Sequence, residues 1–258
     1  MDRPDSKVAC MSEVLLKVES LSKSFGGLRA VSEVSFSVHT GDIYGVIGPN
    51  GAGKSTLFNA IAGVIRPSAG KVYYQGQDVS TLGAFRKCRL GIGRTFQSSQ
   101  SFAHHTVEEN LQAAAYGPAS SLKSWIRSRL TDAEARQVAS VLELTGLAPL
   151  RDKYPADLNN LELQKLSIGM ALVNQPKLLL LDEPSGGLIE AEVNLLKEFL
   201  RSLKAKGITL VLIDHKMSLV MDICNDITVI AAGKYVASGN PESLLSNPLV
   251  REVYLGHN

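Results

Sequence analysis

Gly48-Pro49-Asn50-Gly51-Ala52-Gly53-Lys54-Ser55-Thr56 follows the apolar run Ile43–Ile47 and opens the helical pattern Lys54–Gly63. The nine residues fit G-x-x-x-x-G-K-[ST] at a strand-to-helix turn. Glycines at these positions let backbone N–H groups curl around phosphate oxygens, and the helix N-terminus adds a favourable potential for anions. Lys54 is placed to reach a β- and a γ-phosphate, and the Ser55 hydroxyl to ligate Mg²⁺. A strand–loop–helix of this kind implies an α/β core that binds a nucleoside triphosphate.

A second element supplies the carboxylates such a site needs. Leu178-Leu-Leu-Leu-Asp182-Glu183-Pro is a buried-strand pattern ending in two acids. Asp182 suits a metal ligand, direct or through water, and Glu183 suits a general base for an attacking water. An acidic pair after an apolar run is often only a solvated strand end. Downstream of a phosphate loop it reads as catalytic.

Composition sets the surrounding limits. The chain has 258 residues, 45% apolar and 20% charged, enough for a large buried core. A net charge of +2 gives no reason to expect nucleic acid as a partner. The three cysteines, Cys10, Cys88 and Cys224, are an odd number without metal-ligand spacing, as in a reduced cytosolic chain. No apolar run approaches the ~18 residues of a membrane span, and residues 1–18 lack a secretory h-region. The chain is therefore expected to be cytosolic, with any membrane role reached through a partner. Residues 1–12 read as a disordered extension, with Met11 an alternative start to Met1.

Along the chain, Leu15–Val18, Val34–Val38, Ile43–Ile47 and Lys71–Tyr74 read as strands. From Thr106 to about Met170 the pattern is mainly helical. Thr106-Val-Glu-Glu109 is a capping box opening a helix to about Ala115. A Gly117–Ser121 linker and a helix over Thr131–Leu144 follow. Leu178–Leu181, the helix Glu190–Lys204 and Ile208–Ile213 form a βαβ unit whose strands are covered on both faces. The expected fold is a mixed α/β core with an antiparallel β portion near the N-terminus and a helical insert.

With these motifs in order, the sequence resembles the ATP-binding subunits of ABC transporters from about Leu15 to Gly256. The resemblance implies one domain over residues 13–256: a P-loop NTPase core, an N-terminal antiparallel β subdomain and a helical subdomain over about 98–175. It also assigns roles to isolated residues. Gln97, in Arg94-Thr-Phe-Gln97, matches the Q-loop that touches the metal site and borders the permease-docking surface. His215, in Ile213-Asp-His215, matches the switch histidine at the γ-phosphate. Phe25, before Gly26-Gly27, stands where an aromatic stacks on adenine. The implied cofactors are ATP and Mg²⁺, the metal held by Ser55, Gln97 and Asp182. Phe25-Gly-Gly-Leu-Arg-Ala-Val, Gly93-Arg-Thr-Phe-Gln, the insert between Tyr116 and Leu144 and the ending Asn247–Gly256 are most similar to the branched-chain amino acid and urea/amide uptake group. Lipopolysaccharide-export ATPases share the Tyr-Leu-Gly ending.

One stretch departs from the family. Its composite site pairs one chain's phosphate loop with another chain's signature, usually Leu-Ser-Gly-Gly-Gln. Counting back from Asp182, that register falls on Leu158-Asn159-Asn160-Leu161-Glu162. Asn159 is still able to cap a helix. Leu161 is expected to obstruct a close backbone approach to ATP where glycine is usual. Glu162 would set a negative charge near the triphosphate, costing roughly 2 kcal/mol at ~8 Å and an effective dielectric of ~20. Ser185-Gly-Gly-Leu-Ile189 likewise ends in isoleucine where Asp or Asn is usual.

The resemblance thus implies an ATPase subunit of a membrane importer, peripheral on the cytoplasmic face of the inner membrane. Its partners would be transmembrane permeases, a second ATPase subunit and, indirectly, a solute-binding protein. The altered signature favours a heterodimer over a homodimer. The alternatives are a lipid-export ATPase and a nucleotide-gated regulatory module with little turnover.

Overall fold

A computed structural model describes residues 13–95, 101–116 and 130–255. The expected extension over 1–12, the Gly117–Ser121 linker and Gln97 lie outside them.

The chain opens with two long antiparallel strands, β1 (Val14–Phe25) and β2 (Leu28–His39), joined at Gly26-Gly27. Both exceed the runs visible in the sequence, because register shifts between Val18 and Ser24 break the two-residue alternation. β3 (Ile43–Ile47) leads through the glycine loop into α1 (Lys54–Ala62), which Gly63 ends in a left-handed conformation. β4 (Ala69–Tyr74) and the two-residue β5 (Gln77–Asp78) extend the antiparallel part. α2 (Ala84–Arg89) and β6 (Ile92–Arg94) then return the chain to the core.

The helical insert holds α3 (Val107–Tyr116), α4 (Asp132–Thr145) and α5 (Asn160–Leu172). The expected capping box on α3 is present: Thr106 N–H donates to Glu109 Oε2 at 2.7 Å, and Glu109 N–H to Thr106 Oγ1 at 3.2 Å. Thr131 and Glu134 form the same box on α4. Beyond the insert come β7 (Leu178–Asp182), α6 (Glu190–Ala205), β8 (Thr209–Ile213), α7 (Met217–Ile223), β9 (Asp226–Ala231), β10 (Lys234–Gly239), α8 (Pro241–Leu245) and α9 (Pro248–Leu255).

The strands form one sheet in the order β5-β4-β1-β2-β10-β9-β3-β8-β7-β6. Its β9-β3-β8-β7-β6 half is parallel, so the loop after β3 and the acids after β7 leave the same edge of the sheet. Every residue of β3, β7 and β8 is buried, as near-continuous apolar runs require. Alternation divides them between two cores. Ile43, Ile47, Leu179, Leu181, Leu210 and Leu212 face the helical side with α3 to α7. Tyr44, Val46, Leu178, Leu180, Val211 and Ile213 face α1 and the antiparallel strands.

Helix α1 is fixed at its far end by an unexpected residue. Lys87 on α2 is fully buried, and its Nζ donates to the carbonyls of Ala60 (3.2 Å) and Ile61 (2.8 Å). A cation there satisfies two terminal carbonyls and complements the helix dipole. Burial pushes its amine down to about 8. The helix that begins at the phosphate loop is therefore anchored through α2.

Candidate functional site

The phosphate loop is shaped by close backbone packing. A side chain at Gly48 would bring Cβ to 2.0 Å from the Ile230 carbonyl oxygen, and one at Gly53 to 2.3 Å from that of Ala30. Gly53 also has φ +95°, in the region that side chains rarely adopt. Glycine is thus required at both ends of the loop. Gly233 N–H donates to Ala52 O at 3.1 Å, which ties the loop to the β9–β10 turn.

Lys54 is buried, and its Nζ donates to Gly48 O (2.7 Å) and Pro49 O (2.9 Å). Burial lowers its pKa, while the Glu183 and Asp182 carboxylates raise it in part. The ammonium therefore sits in the loop's concavity with both acids in electrostatic range. Loop residues Asn50–Thr56, Phe25, Leu28, Arg29, Ala30, Glu183 and the Ala232-Gly233 turn enclose a cavity of about 570 Å³. Its volume suits a nucleotide.

Phe25 closes one end of that cavity from the last position of β1 and is 49% exposed. An exposed ring on a hairpin tip has a free face for a base, and Lys23 Nζ lies 5.0 Å from its centroid. Asp182, at the end of β7, is buried and accepts from Arg94 Nη2 at 3.1 Å through Oδ2. Burial pushes its carboxyl pKa up, and Arg94 opposes that shift. Its Oδ1 is buried with no hydrogen-bond partner among the described residues. A hard oxygen without a partner among the described residues, together with the Ser55 hydroxyl in the first turn of α1, fits Mg²⁺, which binds one or two carboxylates plus substrate phosphates.

Glu183 adopts φ +49°, a strained conformation for a residue with a side chain, and its N–H donates to Ile213 O at 2.8 Å. The kink turns the chain out of β7 so that Glu183 lines the cavity. His215 stands at the end of the neighbouring β8, its side chain 55% exposed and outside the cavity wall. Asp214 beside it is fully buried. It accepts from Ser185 Oγ (2.7 Å), Ser185 N–H (2.9 Å) and Lys216 N–H (2.9 Å). That carboxylate fastens the loop after Glu183 to the segment carrying His215. Nothing in the spacing of the sequence marks Asp214, Ser185, Arg94 or the cavity walls at Leu28 and Ala232 as partners, because the contacts join distant segments.

The altered signature stands at the start of α5. Asn159 caps the helix, its Oδ1 accepting from Glu162 N–H (2.9 Å) while Glu162 Oε2 accepts from Asn159 N–H (2.8 Å). Asn160 Nδ2 donates to Gly187 O at 3.0 Å, so the helix start holds the loop after Glu183 within the same chain. The expectation for Leu161 is corrected. Its side chain is 7% exposed and belongs to the helical-side core, which also holds Leu158, Leu166 and Leu188. It turns inward as part of the core and is not an obstruction on the outer face. Glu162 is likewise held in a capping box at a helix N-terminus, where its charge is favoured. Ile189 is 67% exposed at the N-cap of α6 and offers no side-chain acceptor there.

A family model described as "ABC transporter" matches residues 31–186. The high-affinity branched-chain amino acid transport ATP-binding protein LivG of Escherichia coli (strain K12) is 37% identical over 253 residues, 95% of this chain and 99% of that protein. The lipopolysaccharide export system ATP-binding protein LptB of Haemophilus influenzae is 34% identical over 243 residues, 94% of this chain and 97% of that protein. Among solved structures, an ATP-binding cassette of an ABC transporter in its ADP conformation superposes with a TM-score of 0.87 at 32% identity. That match covers 95% of this chain and all of the other.

Proposed function

Since the chain belongs to the ABC transporter family, as a subunit that binds and hydrolyses ATP, we propose that it powers uptake of branched-chain amino acids or a related small solute through transmembrane permeases. The observation that carries this reading is the nucleotide-sized cavity that gathers Phe25, the phosphate loop and Glu183, in a molecule that also has an apolar groove. The LivG relatives support the choice of solute.

In the proposed cycle, adenine lies on Phe25 and the phosphates occupy the loop Gly48–Thr56. Lys54 exchanges its contacts with the loop carbonyls for β- and γ-phosphate oxygens. Ser55, Asp182 and Gln97 would hold Mg²⁺, which would supply positive charge to offset that of the phosphates. Glu183 accepts a proton from the attacking water, and His215 turns from its exposed position toward the γ-phosphate.

The groove has a volume of about 320 Å³ and is walled by Val64, Ala84, Ile92, Phe102, Ala113 and Met170 among others. Its lining includes Thr95 and Ser101, which flank Gln97 in the sequence, and Phe102 in its wall is 51% exposed. We assign it to the permease. Among the described residues no helix is long and apolar enough to cross a membrane, so attachment through this groove would place the chain peripherally on the cytoplasmic face. The second ATPase subunit is proposed to be a different chain, because the cap and tether at Asn159, Asn160 and Glu162 already engage groups the family offers across the dimer.

The test is uptake into proteoliposomes holding this chain, its permeases, the second ATPase subunit and the solute-binding protein. Radiolabelled leucine, isoleucine or valine should accumulate with ATP. Phe102→Asp should abolish uptake while leaving ATP binding by the isolated chain unchanged. Copurification with lipid-export permeases, and no amino-acid uptake, would replace the importer reading with an exporter.

A further inference from the structure

Arg94 joins three parts of the molecule. Its residue lines the apolar groove, with only 11% of the side chain exposed. Its Nη1 donates to Asn59 Oδ1 (2.5 Å) on α1, the helix that starts at Lys54. Its Nη2 donates to Oδ2 of Asp182 (3.1 Å), whose other oxygen has no partner among the described residues.

The backbone at Arg94 is held in the sheet. β6 pairs with β7 in the register Arg94↔Leu180, and Thr95 N–H donates to Leu180 O at 2.9 Å. Thr95 Oγ1 in turn accepts from Asp182 N–H at 3.2 Å. The carboxylate of Asp182 is therefore oriented at one end by its strand and at the other by the guanidinium. Asn59 closes the arrangement. Its backbone oxygen accepts from Val64 N–H (2.9 Å), and Val64 is itself a groove wall.

We propose that Arg94 is a positioning residue that ties the groove to the metal carboxylate: its planar fork bridges Asn59 and Asp182 and turns Asp182 Oδ1 toward Mg²⁺. A displacement of the groove wall then moves the fork, and with it the metal ligand. Arginine suits this role because its two terminal nitrogens hold a fixed geometry that lysine lacks. The inference rests on the nucleotide-site reading above, since it presupposes Mg²⁺ at Asp182.

The test measures ATP binding by calorimetry on the purified full chain, in EDTA and across a Mg²⁺ series, for wild type, Arg94→Lys and Arg94→Met. Affinity in EDTA should stay within about twofold, because the loop that holds the phosphates is untouched. The Mg²⁺ concentration that half-saturates the enhancement of ATP binding should rise about 10–100-fold, the range for losing a residue that orients a metal ligand. Lysine should also shift it, because one amine does not span Asn59 and Asp182 together. Addition of the permeases should change the half-saturation of wild type and leave that of Arg94→Lys unmoved. If Arg94→Met does not fold, Arg94→Lys alone decides. A lysine variant with the wild-type Mg²⁺ dependence, alone and with permeases, overturns the proposal. Wild type that fails to bind ATP at all would instead overturn the nucleotide-site reading.

Discussion

Replacing Glu183 with glutamine should leave ATP binding intact and slow hydrolysis by about 10²-fold or more, the size of a general-base contribution. Glutamine keeps the length of the side chain and removes only its capacity to take a proton. The fold should tolerate the change, because the constraint at this position is on the backbone. Its φ of +49° and its N–H bond to Ile213 O are independent of the carboxylate. Lys54 keeps its bonds to Gly48 O and Pro49 O and the nearby Asp182 carboxylate, and loses only the charge of Glu183. Steady-state phosphate release and equilibrium ATP binding separate the two effects. Hydrolysis at the wild-type rate would remove Glu183 from the role of base.

The second large effect is on stability and falls within the altered signature. Leu161→Gly should destabilise the chain by about 3–6 kcal/mol. Truncating a buried leucine to alanine costs about 2–5 kcal/mol, and glycine in a helix costs about 1 more. Against a total of about 5–15 kcal/mol for a domain, the urea midpoint should fall steeply. Glu162→Gln, by contrast, should leave the midpoint nearly unchanged, since glutamine completes a capping box as well as glutamate does. A Leu161→Gly variant as stable as wild type would mean that Leu161 is not part of the core. A family-like Asn-to-Ser, Leu-to-Gly restoration of the signature is therefore not a neutral graft. In this chain the fourth signature position has become a packing position.

The burial of Leu161 shows where the sequence was readable and where it was not. The placement of the loop Gly48–Thr56 between β3 and α1, and of Asp182 and Glu183 at the end of β7, was legible because each depends on a short local stretch of chain. The parallel core was legible for a similar reason, since continuous apolar runs at Leu178–Leu181 and Ile208–Ile213 have one economical arrangement. Leu161 was misread because a helix start gives no periodicity from which to tell inner from outer faces. Its inward direction is visible only in the folded chain, where it belongs to a core built from residues far apart in sequence. Arg94, Asn59 and Asp214 were invisible as partners because their bonds cross 35, 88 and 29 positions of chain. β1 and β2 were underestimated where shifts of register interrupt the alternation.

The exposed start of α5 and the loop after Glu183 are linked by Asn160 and Gly187, and that link bears on how two ATPase subunits meet. A helix N-terminus already capped by its own Asn159 and Glu162 has fewer N–H groups to offer a phosphate from outside. Ile189 adds an apolar side chain, 67% exposed, on the same loop. This chain thus keeps the phosphate loop, Phe25 and Glu183 around one cavity, and departs from the usual signature at the start of α5.

Light scattering of the purified Glu183→Gln chain with ATP and Mg²⁺, alone and mixed with the second ATPase subunit, tests that asymmetry most directly. The expected result is a monomer alone at concentrations that saturate ATP binding, and a one-to-one dimer in the mixture. A stable ATP-dependent homodimer of this chain would contradict it and show that Leu158-Asn159-Asn160-Leu161-Glu162 works as a signature.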